Sequence, residues 1–198
     1  MIIGISGKKG SGKSTVSDMF LTEGFYLDSF ATSVKDIAAI IFNYDRTKIE
    51  GFTVEDRIWR ENIDNEISNF LGRPFRPRDA LTLIGTEFGR NMIHPNIWIK
   101  TVFDRYKSNE NKNLVITDLR FPNEFESIKK HKGYTIRIYR PCLQENKPNN
   151  IVNEHISETA LDSKEANSEF DYIIINDGTI EDLKIKIKNI ITDIKTKY

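Results

Sequence analysis

The sequence contains a single cysteine, Cys142, among its 198 residues. One thiol cannot form a disulfide within the chain, so the fold does not depend on an oxidising compartment. Long apolar runs are also missing, because the longest, Ile37 to Phe42, is far shorter than the roughly 20 residues that cross a bilayer. The first apolar segment starts at Met1, so we expect no signal peptide. The sequence therefore predicts a cytoplasmic protein with no membrane partner.

An excess of charge of either sign is missing too. The 29 lysines and arginines balance the 29 aspartates and glutamates, which gives a formal net charge of zero. Domains that bind nucleic acid usually carry a basic surface, so we expect no nucleic-acid partner. Arginine is absent after Arg140, and all eleven arginines lie between Arg46 and Arg140. Because arginine can grip phosphate through two parallel hydrogen bonds, this clustering predicts a local anion site.

The segment Gly7-Lys8-Lys9-Gly10-Ser11-Gly12-Lys13-Ser14 matches the pattern G-x-x-x-x-G-K-[ST]. It follows an apolar run, Met1 to Ser6, and precedes a helical pattern that begins at Thr15. Glycines let backbone N–H groups curl around an anion, and the start of a helix is electropositive. The segment is therefore typical of a P-loop that binds ATP. We expect Lys13 to reach the β- and γ-phosphates and Ser14 to bind Mg²⁺.

Four more apolar segments predict strands, and each is separated from the next by helical or polar sequence. They are Gly24 to Asp28, Asn113 to Asp118, Tyr134 to Tyr139 and Asp171 to Ile175. This alternation predicts the three-layer α/β fold of P-loop NTPases, with a five-stranded parallel sheet and helices on both faces. We expect one domain, with a core at 1–30, 110–140 and 169–198, a helical substrate-binding insertion at about 31–109 and a lid at about 141–168.

Polar residues that follow the strands should converge, because ligands bind beyond the carboxyl ends of parallel strands. Asp118 and Arg120 come just after the third strand and are candidates for holding Mg²⁺ and clamping phosphate. The alternatives are a helix cap and a surface arginine. Arg137 and Arg140 lie at the root of the predicted lid, where either could contact nucleotide. Asn176 follows the fifth strand, where it could contact nucleotide or begin a turn.

The predicted insertion carries most of the arginines. A helix is predicted to begin at Thr53 and to turn its apolar residues inward, namely Val54, Ile58, Ile63, Ile67 and Phe70. Four arginines in the insertion are candidates for holding the phosphate of an acceptor: Arg57, Arg60, Arg78 and Arg90. Each of them could instead be an ordinary solvated residue.

Three other residue types permit two interpretations. Asp28 could be a general base or the cap of the helix that follows it. His155 has no cysteine or histidine partners at metal-ligand spacing, so a lid or helix-start role is favoured over zinc. Trp59 and Trp98 are more typical of a core than of a platform for a nucleobase.

Several segments together resemble the deoxynucleoside monophosphate kinases of large phages and viruses. They are Ile3 to Thr15, Ser29-Phe30-Ala31 with Lys35, Glu55-Asp56-Arg57-Ile58-Trp59-Arg60, Ile84-Gly85-Thr86-Glu87, Ile97-Trp98-Ile99, Asp118-Leu119-Arg120-Phe121-Pro122-Asn123-Glu124, His155-Ile156-Ser157-Glu158 and Asn176-Asp177-Gly178. The resemblance covers nearly the whole chain. The P-loop is common to many families, whereas the combination of Gly-Thr-Glu with Asp-Leu-Arg-Phe-Pro-Asn-Glu is much more specific to this one. The chain is also similar to animal-type phosphomevalonate kinases.

The resemblance implies a kinase that uses ATP and Mg²⁺ to phosphorylate a deoxynucleoside monophosphate, as a monomer or homodimer, in the host cytoplasm if the source is viral. It implies nucleotide contacts for Thr15 and substrate contacts for Phe30, Lys35, Glu87 and Trp98, besides Asp28 and Arg120. The predicted lid lacks arginine, a departure from families that place one there. Two alternative functions stay open: a kinase of a non-nucleotide phosphate such as phosphomevalonate, and an ATP-dependent switch without an acceptor.

Overall fold

The computed structural model describes residues 1–108, 113–141, 161 and 169–197. These residues form two units: a sheet unit, Met1–Ser29 with Asp104–Tyr198, and a helical unit, Phe30–Phe103. The predicted lid at about 141–168, including His155, lies outside the described residues except for 141 and 161. The proposed partition into core, insertion and lid therefore stays a prediction.

The sheet unit is built on five parallel strands. They are β1 (Ile2–Gly7), β2 (Tyr26–Asp28), β3 (Leu114–Ile116), β4 (Tyr134–Tyr139) and β5 (Tyr172–Ile175). Their order across the sheet is β2-β3-β1-β4-β5, and Ile3 in the central strand pairs with Val115 on one side and Tyr134 on the other. Strands this rich in isoleucine and valine suit a sheet that is covered on both faces. The predicted five-stranded parallel sheet is confirmed.

Nine α-helices and one π-helix lie in the described part of the chain. They are α1 (Lys13–Thr22), α2 (Thr32–Phe42), α3 (Arg46–Glu50), α4 (Val54–Glu61), α5 (Asn65–Leu71), α6 (Pro77–Thr82), the π-helix (Leu83–Ile93), α7 (Ile97–Ser108), α8 (Pro122–Lys130) and α9 (Ile180–Lys197). The described helices include none that is both long enough and apolar enough to cross a bilayer.

Helices cover both faces of the sheet, as predicted. On one face, Ile3 and Ile5 of β1 belong to a buried cluster with Phe20 of α1 and Ile187 of α9. Successive strand residues point to opposite faces, so Gly4 faces the other way. A Cβ atom at Gly4 would lie 2.3 Å from Cδ1 of Ile128 in α8. Close packing of α8 against β1 therefore leaves no space for a side chain at that position.

The helical unit departs from the sequence prediction at the helix that begins with Thr53. The capping box is present, since Thr53 and Asp56 exchange hydrogen bonds at the start of α4. The helix then ends at Glu61. Asp64 begins a separate helix, α5, by accepting a hydrogen bond from the backbone N–H of Ile67 at 3.0 Å.

This break removes the inward apolar face that the sequence predicted. Four of its five members are exposed instead, namely Val54, Ile58, Ile63 and Phe70, with exposed fractions between 53% and 85%. Two short helices separated by non-helical residues cannot keep one continuous stripe. The expectation that these side chains turn inward was wrong.

The π-helix is a second difference, since the sequence predicts an ordinary helix with Leu81, Ile84 and Phe88 on its apolar side. Its last turn is closed by a bond from the His94 N–H to the Gly89 carbonyl at 3.0 Å, which spans five residues. Phe88 is 42% exposed rather than turned inward. The π-helix is rare, and its usual form, a single-turn bulge inside an α-helix, is frequent at functional sites.

Candidate active site

The P-loop connects β1 to α1 in the sheet unit. Gly12 caps α1 in the left-handed conformation with a φ of 103°, and its carbonyl accepts the Val16 N–H at 3.0 Å. Ser11 donates its N–H to the Lys8 carbonyl at 3.1 Å, which closes the loop into a tight turn. The first turn of α1 thus directs the electropositive end of the helix to the loop. This local geometry is that of an anion-binding cradle.

Lys13 lies in the first turn of α1 and folds back over this loop. Its ammonium group donates to the carbonyl oxygens of Gly7 at 2.5 Å and Lys8 at 2.8 Å. The positive charge is therefore held at the place where the motif predicts phosphate. A bound phosphate would gain a charge-assisted contact from a side chain that is already nearby.

Asn176 holds the P-loop to the end of β5 through hydrogen bonds. It follows β5, its backbone N–H donates to the Tyr139 carbonyl at 2.7 Å, and its side-chain amide donates to the Ser11 carbonyl at 2.9 Å. A Cβ atom at Gly12 would lie 2.6 Å from that amide nitrogen. Glycine is thus required at position 12 by both the backbone angle and this contact. Asn176 was predicted to contact nucleotide, and that role stays a prediction.

The two arginines at the end of β4 differ in their surroundings. Arg137 is buried and donates through Nη1 to the hydroxyl of Ser6 at 2.8 Å. Arg140 is exposed and lies near the P-loop, with Nη1 at 3.4 Å from the Gly10 carbonyl. Arg140 can therefore approach a phosphate without leaving a buried position, so the geometry favours it over Arg137.

Asp118 and Arg120 lie in the turn between β3 and α8. The Leu119 N–H between them donates to the Ile5 carbonyl at 3.0 Å, which places the turn beside the end of β1 that leads into the P-loop. Glu124, 1% exposed, accepts the N–H groups of Arg120 at 2.9 Å and Phe121 at 3.1 Å. This supporting role was not predicted from the sequence, although glutamate at the third helical position is a known capping signal.

Ser14 and Asp118 were predicted to hold Mg²⁺, and both offer the hard oxygen ligands that this ion prefers. Within the described residues, no group of three or more His, Cys, Asp or Glu side chains could hold a metal. In a phosphate site, Mg²⁺ takes most of its ligands from phosphate oxygens and water, so one or two protein oxygens suffice. The donor set present therefore fits the ion.

Asp28 has most of its hydrogen-bonding capacity in use. Its side chain, 2% exposed, accepts Nε and Nη2 of Arg105 at 2.8 and 2.9 Å. The backbone N–H of Ser29 donates to the same carboxylate at 2.7 Å. An anchoring role is therefore favoured over that of a general base. Arg105 lies 77 residues away in the sequence, and no local signal identified it as the partner.

In the helical unit, two of the predicted substrate arginines converge on the loop between α3 and α4. Arg57 donates to the carbonyls of Gly51 at 3.1 Å and Phe52 at 2.8 Å. Arg60 packs against the same loop, since a Cβ atom at Gly51 would lie 2.4 Å from its guanidinium. The remaining two are turned to other partners: Arg78 pairs with Glu61, and Arg90 lies 3.5 Å from a backbone carbonyl.

Arg60 combines a buried guanidinium nitrogen with a cationic neighbour. Its Nε atom is buried and has no hydrogen-bond partner among the described residues. Burial lowers the pKa of its guanidinium and the positive charge of Arg78 lowers it further, while Glu61 and Glu50 offset only part of this. An anion placed beside Arg60 would relieve both effects. The Arg60 environment is therefore suited to bind a phosphate.

The other substrate candidates of the helical unit have partners within it. Lys35 forms an ion pair with Glu50. Burial alone would raise the pKa of Glu50, but Lys35 and Arg46 lower it overall. Glu87 is exposed and accepts a hydrogen bond from Asn91 at 3.1 Å. These contacts neither bring the two residues together nor assign them to substrate.

Trp98 and Phe30 are both buried, each 3% exposed. The indole N–H of Trp98 donates to the Gly85 carbonyl in the π-helix at 2.8 Å. A Cβ atom at Gly89 would lie 2.1 Å from its ring, so tryptophan and π-helix fit closely. The prediction that Trp98 belongs to a core is confirmed. Substrate contact through either ring stays a prediction.

Comparison with known proteins gives consistent sequence matches. A family model described as deoxynucleotide monophosphate kinase matches residues 60–187. A protein of Acanthamoeba polyphaga mimivirus, assigned by its name as a deoxynucleotide monophosphate kinase, is 30% identical over 195 residues, covering 94% of each chain. The deoxynucleoside-5′-monophosphate kinase of Escherichia phage T5 is 26% identical, covering 96% of this chain and 95% of that one. These matches do not support the predicted similarity to phosphomevalonate kinases, which stays a prediction.

Solved structures agree on the fold. A dephospho-CoA kinase from Campylobacter jejuni has a TM-score of 0.54 at 20% identity, and the match covers 98% of this chain and 96% of that one. TT1252 from Thermus thermophilus has a TM-score of 0.50 at the same identity, with 98% and 97% covered. Together with the P-loop and the parallel sheet, these matches support the predicted α/β P-loop kinase fold. The chain belongs to the deoxynucleotide monophosphate kinase family.

Proposed function

We propose that this protein transfers the γ-phosphate of ATP to the 5′-phosphate of a deoxynucleoside monophosphate, which gives the diphosphate and ADP. Membership of the family makes the chain a phosphotransferase with a phosphate group as acceptor. The observation that carries the proposal is the P-loop of the sheet unit, where the ammonium of Lys13 is held over the loop that precedes α1.

The donor end of the reaction is assigned to the sheet unit. Backbone N–H groups of residues 7–15 surround the phosphates of ATP, and Lys13 turns from the loop carbonyls to the β- and γ-phosphates. Ser14 and Asp118 would hold Mg²⁺, which would neutralise negative charge on the phosphate oxygens. Arg120 and Arg140 supply further positive charge beside the transferring group. These roles rest on the positions of the residues around the P-loop.

The chemistry needs no general base. A phosphate monoester has a second pKa near 6, so the acceptor is already a dianion at neutral pH. The obstacle is repulsion between this dianion and ATP, and fixed cations reduce it. The proposal therefore assigns Asp28 no proton transfer, consistent with its engagement by Arg105. Catalysis is then a matter of position and charge.

The acceptor phosphate is assigned to the helical unit, with Arg60 as its principal contact. Support comes from the buried Nε atom, which has no hydrogen-bond partner in the part of the chain that the structure describes, and from the lowered pKa of the guanidinium. Arg57 shapes the same region through its bonds to the neighbouring carbonyls. Arg78, which pairs with Glu61, adds a positive charge that is felt at Arg60. Arg90, Lys35 and Glu87 stay further candidates for this end of the reaction.

The remaining partner assignments follow from the substrate. A small soluble nucleotide requires neither a membrane nor a nucleic-acid surface, and the balanced charge of the chain agrees with this. We infer that the enzyme works in the cytoplasm, as a monomer or a homodimer.

Steady-state kinetics of Arg60→Ala test the acceptor assignment. A charge-assisted hydrogen bond is worth about 1.5–3 kcal/mol, so the KM for the deoxynucleotide should rise by roughly tenfold or more. The KM for ATP should stay within about twofold of the wild-type value, because ATP is assigned to the sheet unit. Arg60→Lys should recover only part of the lost affinity for the deoxynucleotide, since lysine keeps the charge but cannot make two parallel hydrogen bonds to one phosphate.

Arg73→Ala is the matched control. Arg73 belongs to the same unit, but its guanidinium lies over the ring of Phe75, 5.4 Å from the ring centroid. Neither KM should change in this variant. Equal losses for ATP and acceptor in Arg60→Ala would show that Arg60 supports the fold rather than the substrate. Running dTMP, dGMP, dCMP and phosphomevalonate side by side identifies the acceptor class, and turnover of phosphomevalonate alone would overturn the proposal.

A further inference from the structure

The chain passes between the two units at two places. It leaves the sheet unit between Ser29 and Phe30 and returns between Phe103 and Asp104. Every residue of the helical unit is therefore tethered to the sheet unit through these two connections. A segment attached in this way can move as a body if the connections can flex.

Within the sheet unit, an ion pair with a buried carboxylate links one connection to the other. Asp28 lies two residues before the first crossing and Arg105 two residues after the second. The guanidinium of Arg105 donates to both carboxylate oxygens of Asp28, at 2.8 and 2.9 Å. Its Nη2 also donates to the backbone carbonyl of Ser29 at 3.2 Å. The same arginine thus binds both a side chain and the main chain at the first connection.

Both ends of this pair are carried by rigid elements. Asp28 is the last residue of β2 and pairs with Ile116 of β3, and its carbonyl accepts the Thr117 N–H at 3.0 Å. Arg105 belongs to α7, which continues through the second crossing without a break. The pair therefore fixes the end of a helix to the edge of the sheet.

We propose that Asp28 and Arg105 form a clasp that fixes the two connections to each other, and that Arg105 is a positioning residue for phosphoryl transfer. This inference rests on the proposed function, in which the two units bind different substrates. With the clasp closed, the sheet-unit ends of the two connections are held to each other, so neither can shift without the other. A misplacement of about 1 Å can cost roughly 100-fold in rate, which gives such a restraint catalytic value.

A purely structural role is the alternative, because breaking a buried ion pair destabilises a protein wherever it lies. The Lys129–Asp171 pair provides the comparison. It lies in the same unit, away from the connections, and also has two contacts, at 2.6 and 2.8 Å. A structural role predicts a lower Tm in both Arg105→Met and Lys129→Met, with the larger loss in Arg105→Met because Asp28 is more buried than Asp171, and no loss of kcat in either. A clasp predicts an effect on transfer that only the Arg105 variant shows.

The experiment compares wild type, Arg105→Met, Arg105→Lys and Lys129→Met. For Arg105→Met we expect kcat for deoxynucleotide phosphorylation to fall by about 10- to 100-fold, with the Kd for ATP within about twofold of wild type. Arg105→Lys keeps the charge but loses the paired hydrogen bonds to both carboxylate oxygens, so its kcat should lie between those of Arg105→Met and wild type. Lys129→Met should lower the Tm without a specific loss of kcat. An unchanged kcat in Arg105→Met overturns the positioning role.

Amide hydrogen exchange separates failure of this inference from failure of the proposed function. In Arg105→Met, exchange should rise by about tenfold or more at both connections, residues 26–32 and 100–108, and Lys129→Met should leave both unchanged. This measurement does not depend on turnover. If wild type phosphorylates no deoxynucleotide, the exchange result alone decides whether the clasp exists. Unchanged exchange at residues 26–32 would rule it out, as would equal changes in the two methionine variants.

Discussion

Gly12 and Asn176 should be energetically coupled, because the side-chain amide of Asn176 occupies the space that a side chain at position 12 would need. A Cβ atom there would lie 2.6 Å from the amide nitrogen, on a backbone with a φ of 103°. Gly12→Ala should therefore cost about 1–3 kcal/mol from backbone strain. It should also displace Asn176 from the Ser11 carbonyl, a hydrogen bond worth about 0.5–1.5 kcal/mol.

A double-mutant cycle measures this coupling. Asn176→Ala alone should cost about 1 kcal/mol, the value of its hydrogen bond. In the Gly12→Ala background it should cost almost nothing, because the bond is already lost. The loss of unfolding free energy in the double variant should then be about 1 kcal/mol smaller than the sum of the losses in the two single variants. Urea unfolding should be followed by circular dichroism, since both tryptophans, Trp59 and Trp98, report on the helical unit instead.

Gly24→Ala is the control for backbone strain without a steric neighbour. Gly24 has a φ of 83°, and a Cβ atom there would meet nothing within 4 Å. It should cost about 1–2 kcal/mol and combine additively with Asn176→Ala. Additivity within about 0.3 kcal/mol in the Gly12 cycle would refute the argument, because it would mean that Asn176 does not restrict position 12.

Two further predictions concern stability. Gly89→Ala should lower the free energy of unfolding by about 1–3 kcal/mol, because the added methyl group overpacks against the Trp98 ring. Gly85→Ala is the control, since its Cβ would meet only Val34 at 3.5 Å, and it should change the free energy of unfolding by less than about 1 kcal/mol. Tryptophan fluorescence during urea unfolding measures both variants. Burial alone would raise the pKa of Asp171, but its bonds to Lys129 and Thr135 lower it below the ordinary 3.8. That stabilisation is present above about pH 4 and disappears as the pH falls further, so Asp171→Asn should lower the Tm at pH 7 and flatten its decline in acid.

The sheet and the P-loop were predictable because their signals are local. Each strand is a short apolar segment, and the loop pattern contains in eight consecutive residues the glycines, lysine and serine that its chemistry needs. The strand-to-helix context then gave the parallel topology, since connections of that kind have one preferred hand. The sheet is confirmed for these reasons.

The helical unit was harder to predict because its elements are short and depend on tertiary contacts. The apolar spacing from Val54 to Phe70 suggested one amphipathic helix, but the cap at Asp64 starts a second one and leaves the apolar residues exposed. The π-helix depends on a tryptophan that packs against glycine. Neither contact has a periodic signature in the sequence.

Long-range pairs in the candidate site were invisible for a similar reason. Asp28 and Arg105 are 77 positions apart, and nothing near either one indicates the other. The capping role of Glu124 could have been predicted, because a glutamate at the third position of a helix is a recognised capping residue. Sequence patterns therefore identified residue types suited to the chemistry, while the fold decided which charges are already neutralised.

The most direct test of the central claim is the product of the reaction. Purified protein, ATP, Mg²⁺ and one deoxynucleoside monophosphate at a time should give the matching diphosphate and ADP in equal amounts, resolved by anion-exchange chromatography. Lys13→Ala should reduce this transfer by at least about 100-fold while its circular dichroism stays that of wild type. ADP formed at a rate that no monophosphate changes, with no diphosphate produced, would contradict the account and favour an ATP-dependent switch.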